Sequence, residues 1–190
     1  MHKGRLEAFS DGVIAILITI MVLELKIPRD GTWAALVPLC PIFATYTLSF
    51  VFLGIYWNNH HHMLQATDRI NGKILWANLN LLFWLSLIPF VTGWMGESEW
   101  APLPTAIYGA LLLVSGVAYV ILQQAIIQHQ GPGSKLAAAI GGDWKGKLSP
   151  ILYALAIPLA FVHVWMSEAL YVTVALIWIV PDQRIESRIG

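Results

Sequence analysis

The chain has 190 residues, 57% of them hydrophobic and 12% charged, with a mean hydropathy of +0.67 and eleven basic against eleven acidic side chains. A soluble domain carries roughly 25% charged residues, so this composition argues against a soluble enzyme or binding module and for a membrane bundle. Zero net charge removes any general attraction to nucleic acid, and a single cysteine, Cys40, excludes an intrachain disulfide.

Six apolar segments stand out against a yardstick of roughly 20 residues per membrane span. Span one covers residues 6–25 and stops before Pro28. Glu7 and Asp11 interrupt what would be the apolar core of a cleavable signal peptide, so it is read as a retained span. Span two covers 36–56 and continues in polar form past His62; span three covers 74–94; span four covers 106–124. The segment 128–147, with Gly131-Pro132-Gly133, reads as a loop with a short surface helix at 135–140. Span five covers 148–165 with a kink expected at Pro158, and span six covers 169–180, ending at Pro181. There is no internal repeat and no second domain, so residues 1–190 are read as one domain.

Lys and Arg placement sets the orientation. With six spans and both termini cytoplasmic, the inner segments hold Lys3, Arg5, Arg69, Lys73, Lys135, Lys145, Lys147, Arg184 and Arg188, and the outer ones only Lys26 and Arg29. The tryptophans agree: Trp33, Trp94, Trp100 and Trp165 fall at the outer boundary, and Trp57, Trp76, Trp144 and Trp178 at the inner one.

Span one differs from the others. It carries Arg5, then Phe9-Ser10-Asp11-Gly12, then an apolar run to Leu23, then Glu24. A carboxylate inside a membrane helix is costly without a partner and marks a functional site by default. The 12 residues between Asp11 and Glu24 cover about 18 Å, short of the roughly 30 Å hydrocarbon core. Such a helix is better surrounded by other helices than by lipid. At about 100° per residue, Ile16, Thr19, Ile20 and Leu23 share one stripe with Phe9 and Gly12, and Asp11 points about 140° away from Ile16. The stripe is either a packing face within the subunit or one wall of a conduit formed by a symmetric ring of copies.

Arg5-x3-Phe9-Ser10-Asp11-Gly12-Val13-x-Ala15-Ile16-x2-Thr19, continuing to Leu23-Glu24, resembles the first-helix signature of the potassium-channel family typified by transmembrane protein 175, in its bacterial branch with a single six-helix unit. Trp57-x2-His60-His61, and Leu75-Trp76-x-Asn78-Leu79 with Pro89-Phe90, resemble its second- and third-helix patterns. The resemblance runs over residues 5–90; the later spans match only in length and apolarity. It implies a homotetramer in a bacterial plasma membrane, with span one of each subunit lining a central pore and no loop-built carbonyl filter. Ile16 would form the narrowest apolar ring, Thr19 a hydroxyl ring one turn outward, and Ile20 and Leu23 would extend the constriction. Phe9, Gly12 and Trp57 would be motif packing residues.

On that basis, an apolar collar at Ile16 gates by dewetting, and Thr19 replaces part of a cation's hydration shell. A back-bond of Thr19 to its own helix is the alternative. Glu24 and Asp30 would concentrate cations at the outer mouth. Asp11 and Ser10 share a depth with Arg5, His60, His61 and Asn78, which predicts an intramembrane polar network bracing span one. The alternative is an N-cap at Ser10 or Asp11. Adjacent imidazoles at His60, His61 and His62 point in different directions, so no metal site is expected, and neither His62 nor Asn80 receives a role.

No catalytic motif is present, and Asp11 is read as the only carboxylate inside a span, so no enzyme is expected. The expectation is therefore an all-α membrane protein of six transmembrane helices, a passive potassium-preferring cation channel with no cofactor. Its partners are the lipid bilayer, monovalent cations and three further copies of itself. A proton-conducting or non-selective cation channel, or a membrane scaffold without transport activity, remains the alternative.

Overall fold

The computed structural model describes residues 3–28, 30–67, 69–140 and 144–179. Arg29, Arg184 and Arg188 of the charge count, and Val180 and Pro181 at the end of span six, lie outside the described residues. The chain is helical, with no strand among the described residues.

Helix α1 runs Lys3–Ile20 and tightens into a 3-10 turn over Met21–Glu24. A seven-residue 3-10 segment, Trp33–Leu39, leads into α2, Cys40–Gln65, whose first turn holds Pro41, where a missing N–H costs nothing. Helix α2 thus absorbs the His60–His62 run, as its polar continuation predicted. Span three is two helices rather than one: α3, Gly72–Ser86, and α4, Ile88–Glu97, parted at Leu87. Asn71 caps α3, its side chain accepting from the Ile74 amide at 3.0 Å. Pro89, lacking an N–H and crowding the preceding turn, enforces the break.

Helix α5, Pro102–Gln130, is longer than expected and stops at Gly131, whose φ of 91° suits glycine. The short surface helix α6 is Lys135–Ile140. Helix α7, Trp144–Leu159, ends one residue after Pro158 in a turn; the expected kink is instead a terminus, because the following amides bond back into a tight turn, Phe161 N–H to Pro158 and Val162 N–H to Leu159. Helix α8, Val164–Ile179, starts earlier than residue 169 and so takes Glu168 into a helix. Asp11 is therefore not the only carboxylate within the helical bundle, and Glu168 Oε1 is buried with no hydrogen-bond partner among the described residues.

Among the described residues, four helical stretches have the length and apolarity to cross a membrane: Lys3–Glu24, Trp33–Gln65, Gly72–Glu97 and Pro102–Gln130. Helix α8 is apolar but shorter; its 16 residues reach about 24 Å. The stretches run antiparallel. At one end Lys3 Nζ donates to the Gln65 carbonyl at 3.1 Å, Asn71 lies 3.1 Å from His129 Nδ1, and Lys145 sits over the Trp178 ring. At the other, Lys26 pairs with Glu97 at 2.8 Å and the Trp100 and Trp165 rings meet edge-on at 4.6 Å.

A continuous apolar core of Leu, Ile, Met and aromatic side chains fills the space between helices. Helix α1 contributes Leu6, Ile14 and Leu17 to it, three positions on one face at helical spacing, and the 3-10 turn adds Met21. A hydroxyl chain joins α2, α4 and α5. Thr92 gives its proton to the Ile88 carbonyl, so it accepts from Ser49 at 2.7 Å, and Ser49 in turn accepts from Tyr108 at 2.9 Å. Where α2 and α4 cross, Gly96 is obligatory: a Cβ there would lie 2.7 Å from the Ile42 Cα.

Candidate functional site

Helix α1 has two unlike faces. One is packed by α2, α3 and α4. The other is uncovered by the protomer. Arg5, Phe9, Gly12, Ile16, Thr19 and Leu23 recur at alternating four- and three-residue steps, and all are exposed. Phe9 is 52% exposed, Ile16 59% and Leu23 79%. Ile20 is exposed on the same side, although the 3-10 turn after it alters the angular step, so Val22 and Glu24 also face outward. The uncovered face mixes small, hydroxyl and charged residues with its isoleucines. The outward faces of α2 and α5 carry Phe43, Phe50, Val117, Val120 and Ile121, the bulky apolar set suited to lipid tails.

Thr19 Oγ1 lies 3.0 Å from both the Ala15 and the Ile16 carbonyl oxygens. The hydroxyl proton is therefore spent on the helix's own backbone. The back-bond and a role toward cations are compatible, because the two lone pairs remain and the group presents itself outward as an acceptor alone.

The packed side of α1 is pinned by a buried polar chain. Asn78 of α3 donates from Nδ2 to Ser10 Oγ at 3.0 Å and accepts at Oδ1 from His60 Nε2 at 2.7 Å. An amide oxygen can only accept, so His60 carries its proton on Nε2. All three residues are at most 1% exposed. Three helices are thus joined at one level.

Asp11 stands outside this chain. It is half-buried, one residue on from Ser10, and accepts from Trp57 Nε1 at 3.1 Å. Trp57, expected as a packing residue, is its donor, and its indole stacks on His61 at 6.0 Å. The expected six-member network is therefore two separate pins. Arg5 is exposed and makes no hydrogen bond or ion pair among the described residues. His61 bonds Gln65 at 2.8 Å instead. The N-cap alternative fails, because α1 begins at Lys3 and Ser10 and Asp11 sit in its interior.

Glu24 is exposed and folds over α4, where a Cβ on Gly93 would approach its Oε2 to 3.3 Å. Asp30 is exposed in the following loop and accepts from the Thr32 hydroxyl at 2.6 Å and the Thr32 amide at 3.0 Å. The Thr32 hydroxyl, and then its amide, hold the Asp30 carboxyl below the ordinary range. Among the described residues no three His, Cys, Asp or Glu side chains gather as a metal site would require.

A membrane bundle whose leading helix is pinned on one flank and bare on the other has the form of a channel subunit. Comparison with known proteins carries this to a family. The family described as Endosomal/lysosomal potassium channel TMEM175 matches residues 5–89. A potassium channel of Chryseobacterium sp. (strain P1-3) is 54% identical over 98% of this chain and 97% of its own length. One from Streptomyces collinus is 30% identical over 92% of this chain and 90% of its own length. The crystal structure of a lysosomal potassium-selective channel TMEM175 homolog from Chamaesiphon minutus superposes with a TM-score of 0.82 at 27% identity, covering 95% of this chain and 97% of that one. The chain belongs to the TMEM175 channel family. Its relatives are ion channels, not enzymes. An animal relative, from Danio rerio, is named a proton channel; it is 29% identical over 67% of this chain but only 24% of its own length.

Proposed function

We propose that four copies of this chain assemble in a bacterial plasma membrane around their α1 helices and form a passive, potassium-preferring cation channel. In this reading each subunit crosses the bilayer six times, with both termini cytoplasmic, and the permeant ion is the only small ligand. The observation that carries it is the uncovered face of α1 from Arg5 to Leu23, built of small, hydroxyl and apolar residues at a seven-residue repeat. Such a face needs a partner, and a ring of identical faces encloses a conduit.

Four Ile16 side chains on the axis form a collar that holds back hydrated ions until it dilates. One turn outward, Thr19 offers acceptor oxygens, with its proton already committed, so a cation meets lone pairs and no competing donor. Ile20 and Leu23 lengthen the narrow part. Glu24 and Asp30 raise the cation concentration at the outer mouth. Ser10, Asn78 and His60, together with Asp11 and Trp57, fix the azimuth of α1 so that the Ile16 edge points at the axis.

The test is cation flux. Purified protein in liposomes loaded with potassium chloride should release potassium down its gradient; protein that passes no cation in any gradient refutes the channel. The naming of animal relatives as proton channels favours one second reading, a proton conductor. Reversal potentials decide between them: a potassium channel follows the potassium gradient, a proton channel the pH gradient.

A further inference from the structure

A second site lies on the side of the subunit away from α1. Helices α2, α5, α7 and α8 surround a cavity of about 70 Å³, lined by rings and aliphatic groups that include Phe52, Ile55, Leu113 and Tyr153. One wall is out of character. Gln123 of α5 is only 7% exposed, yet its amide makes no hydrogen bond to any described residue. It is one of the residues that line this cavity. Beside it, the Tyr56 hydroxyl reaches the Leu112 carbonyl only at 3.5 Å, too long for a good bond.

The mouth of the cavity is firmly built. Trp178 Nε1 donates to Ser149 Oγ at 2.8 Å, and Ser149 donates to the Lys145 carbonyl at 2.8 Å. The Lys145 ammonium lies 5.8 Å from the centre of the Trp178 ring. An apolar slot, an unpaired amide within it and cationic charge at its rim form a graded series from hydrocarbon to headgroup.

We propose that this cavity binds an anionic phospholipid. The first methylenes of one acyl chain, next to its ester, fill the slot, the Gln123 amide and Tyr56 hydroxyl donate to that ester's carbonyl, and Lys145 meets the phosphate. The size supports a chain segment rather than a whole small molecule: about 70 Å³ is under half the roughly 150 Å³ that takes a benzene ring. The proposal rests on the bilayer placement given above but not on conduction.

The experiment is native mass spectrometry of the purified full chain titrated with phosphatidylglycerol, phosphatidylcholine and oleate. Wild type should hold about one phosphatidylglycerol per protomer, more tightly than the zwitterionic lipid or the free fatty acid. Gly116 lines the slot, and a Cβ there would meet only the Tyr56 hydroxyl, at 3.9 Å. Gly116→Leu should fill it and weaken binding about tenfold, the worth of roughly two buried methylenes. Gln123→Leu, which keeps the volume, should weaken it about three- to tenfold, and Lys145→Gln should abolish the preference for the anionic headgroup. Equal binding by wild type and both slot variants, no preference for phosphatidylglycerol in wild type, or tighter binding of oleate would each overturn the proposal. A protein that retains the lipid but passes no cation would refute the channel and leave this site standing.

Discussion

The Asn78 pin can be tested in magnitude as well as direction. Asn78→Leu preserves the volume but leaves His60 Nε2–H and Ser10 Oγ without their partner, on helices α2 and α1. Treated as two orphaned buried groups in a dry interior, the cost is about 2–6 kcal/mol. In a membrane the unfolded reference also finds partners, and interhelical hydrogen bonds average about 0.6 and reach about 1.7 kcal/mol each. The membrane figure governs here, so two lost bonds cost about 1–3 kcal/mol. For a chain of this size each kcal/mol lowers the melting midpoint by roughly 2–4 °C, which gives a fall of roughly 2–12 °C. The assay is the midpoint of thermal loss of the monodisperse size-exclusion peak in detergent, for Ser10→Ala, Asn78→Leu and the double variant. Because both changes break the same bond, the double variant should fall short of the sum of the singles. An unchanged midpoint for Asn78→Leu, or strict additivity, would refute the pin.

Three further outcomes follow from the geometry. Ile16→Asn should raise single-channel conductance in planar bilayers, by about tenfold if the collar supplies as little as ~1.4 kcal/mol of the barrier; unchanged currents would place the constriction elsewhere. Gly96→Ala should destabilise the protein by about 1–3 kcal/mol in the same melting assay, because the new methyl meets the Ile42 backbone and α2 and α4 must part. Asp30 is held below its ordinary 3.8 by Thr32, so its charge, and any stability it lends, is present at neutral pH and is lost only as the pH falls through that lowered value. Conductance measured while acidifying the outer face should therefore lose the Asp30 contribution only below that ordinary value; Thr32→Ala should move the loss upward, and Asp30→Asn should remove it.

The long apolar runs made the helices legible, since length and hydropathy depend on composition alone. The same holds for the uncovered stripe of α1, because helical periodicity fixes which residues share a face. Ser10, His60 and Asn78 could be brought to one depth by counting residues along each span. What counting could not supply is azimuth. Whether Asn78 reaches Ser10 or Asp11, one residue apart, depends on how α3 is rotated against α1, and that is decided by the packing of Ile14, Leu17, Leu81 and their neighbours. Trp57 as the donor to Asp11 was hidden for the same reason. The hydroxyl chain through Ser49, Thr92 and Tyr108 had a signal, three polar residues in apolar runs, but no sequence feature paired them. The early start of α8 was masked by Glu168, whose charge reads as the edge of a span.

The break at Leu87 gives one passage through the bundle two sets of neighbours. Below it, α3 lies chiefly against α5 and α1; above it, α4 lies chiefly against α2 and α5. Pro89 therefore acts as a railway point, diverting the strut so that the foot of the leading helix and the head of the second are tied to the same stretch of chain. The two ends of that strut brace different walls of the subunit.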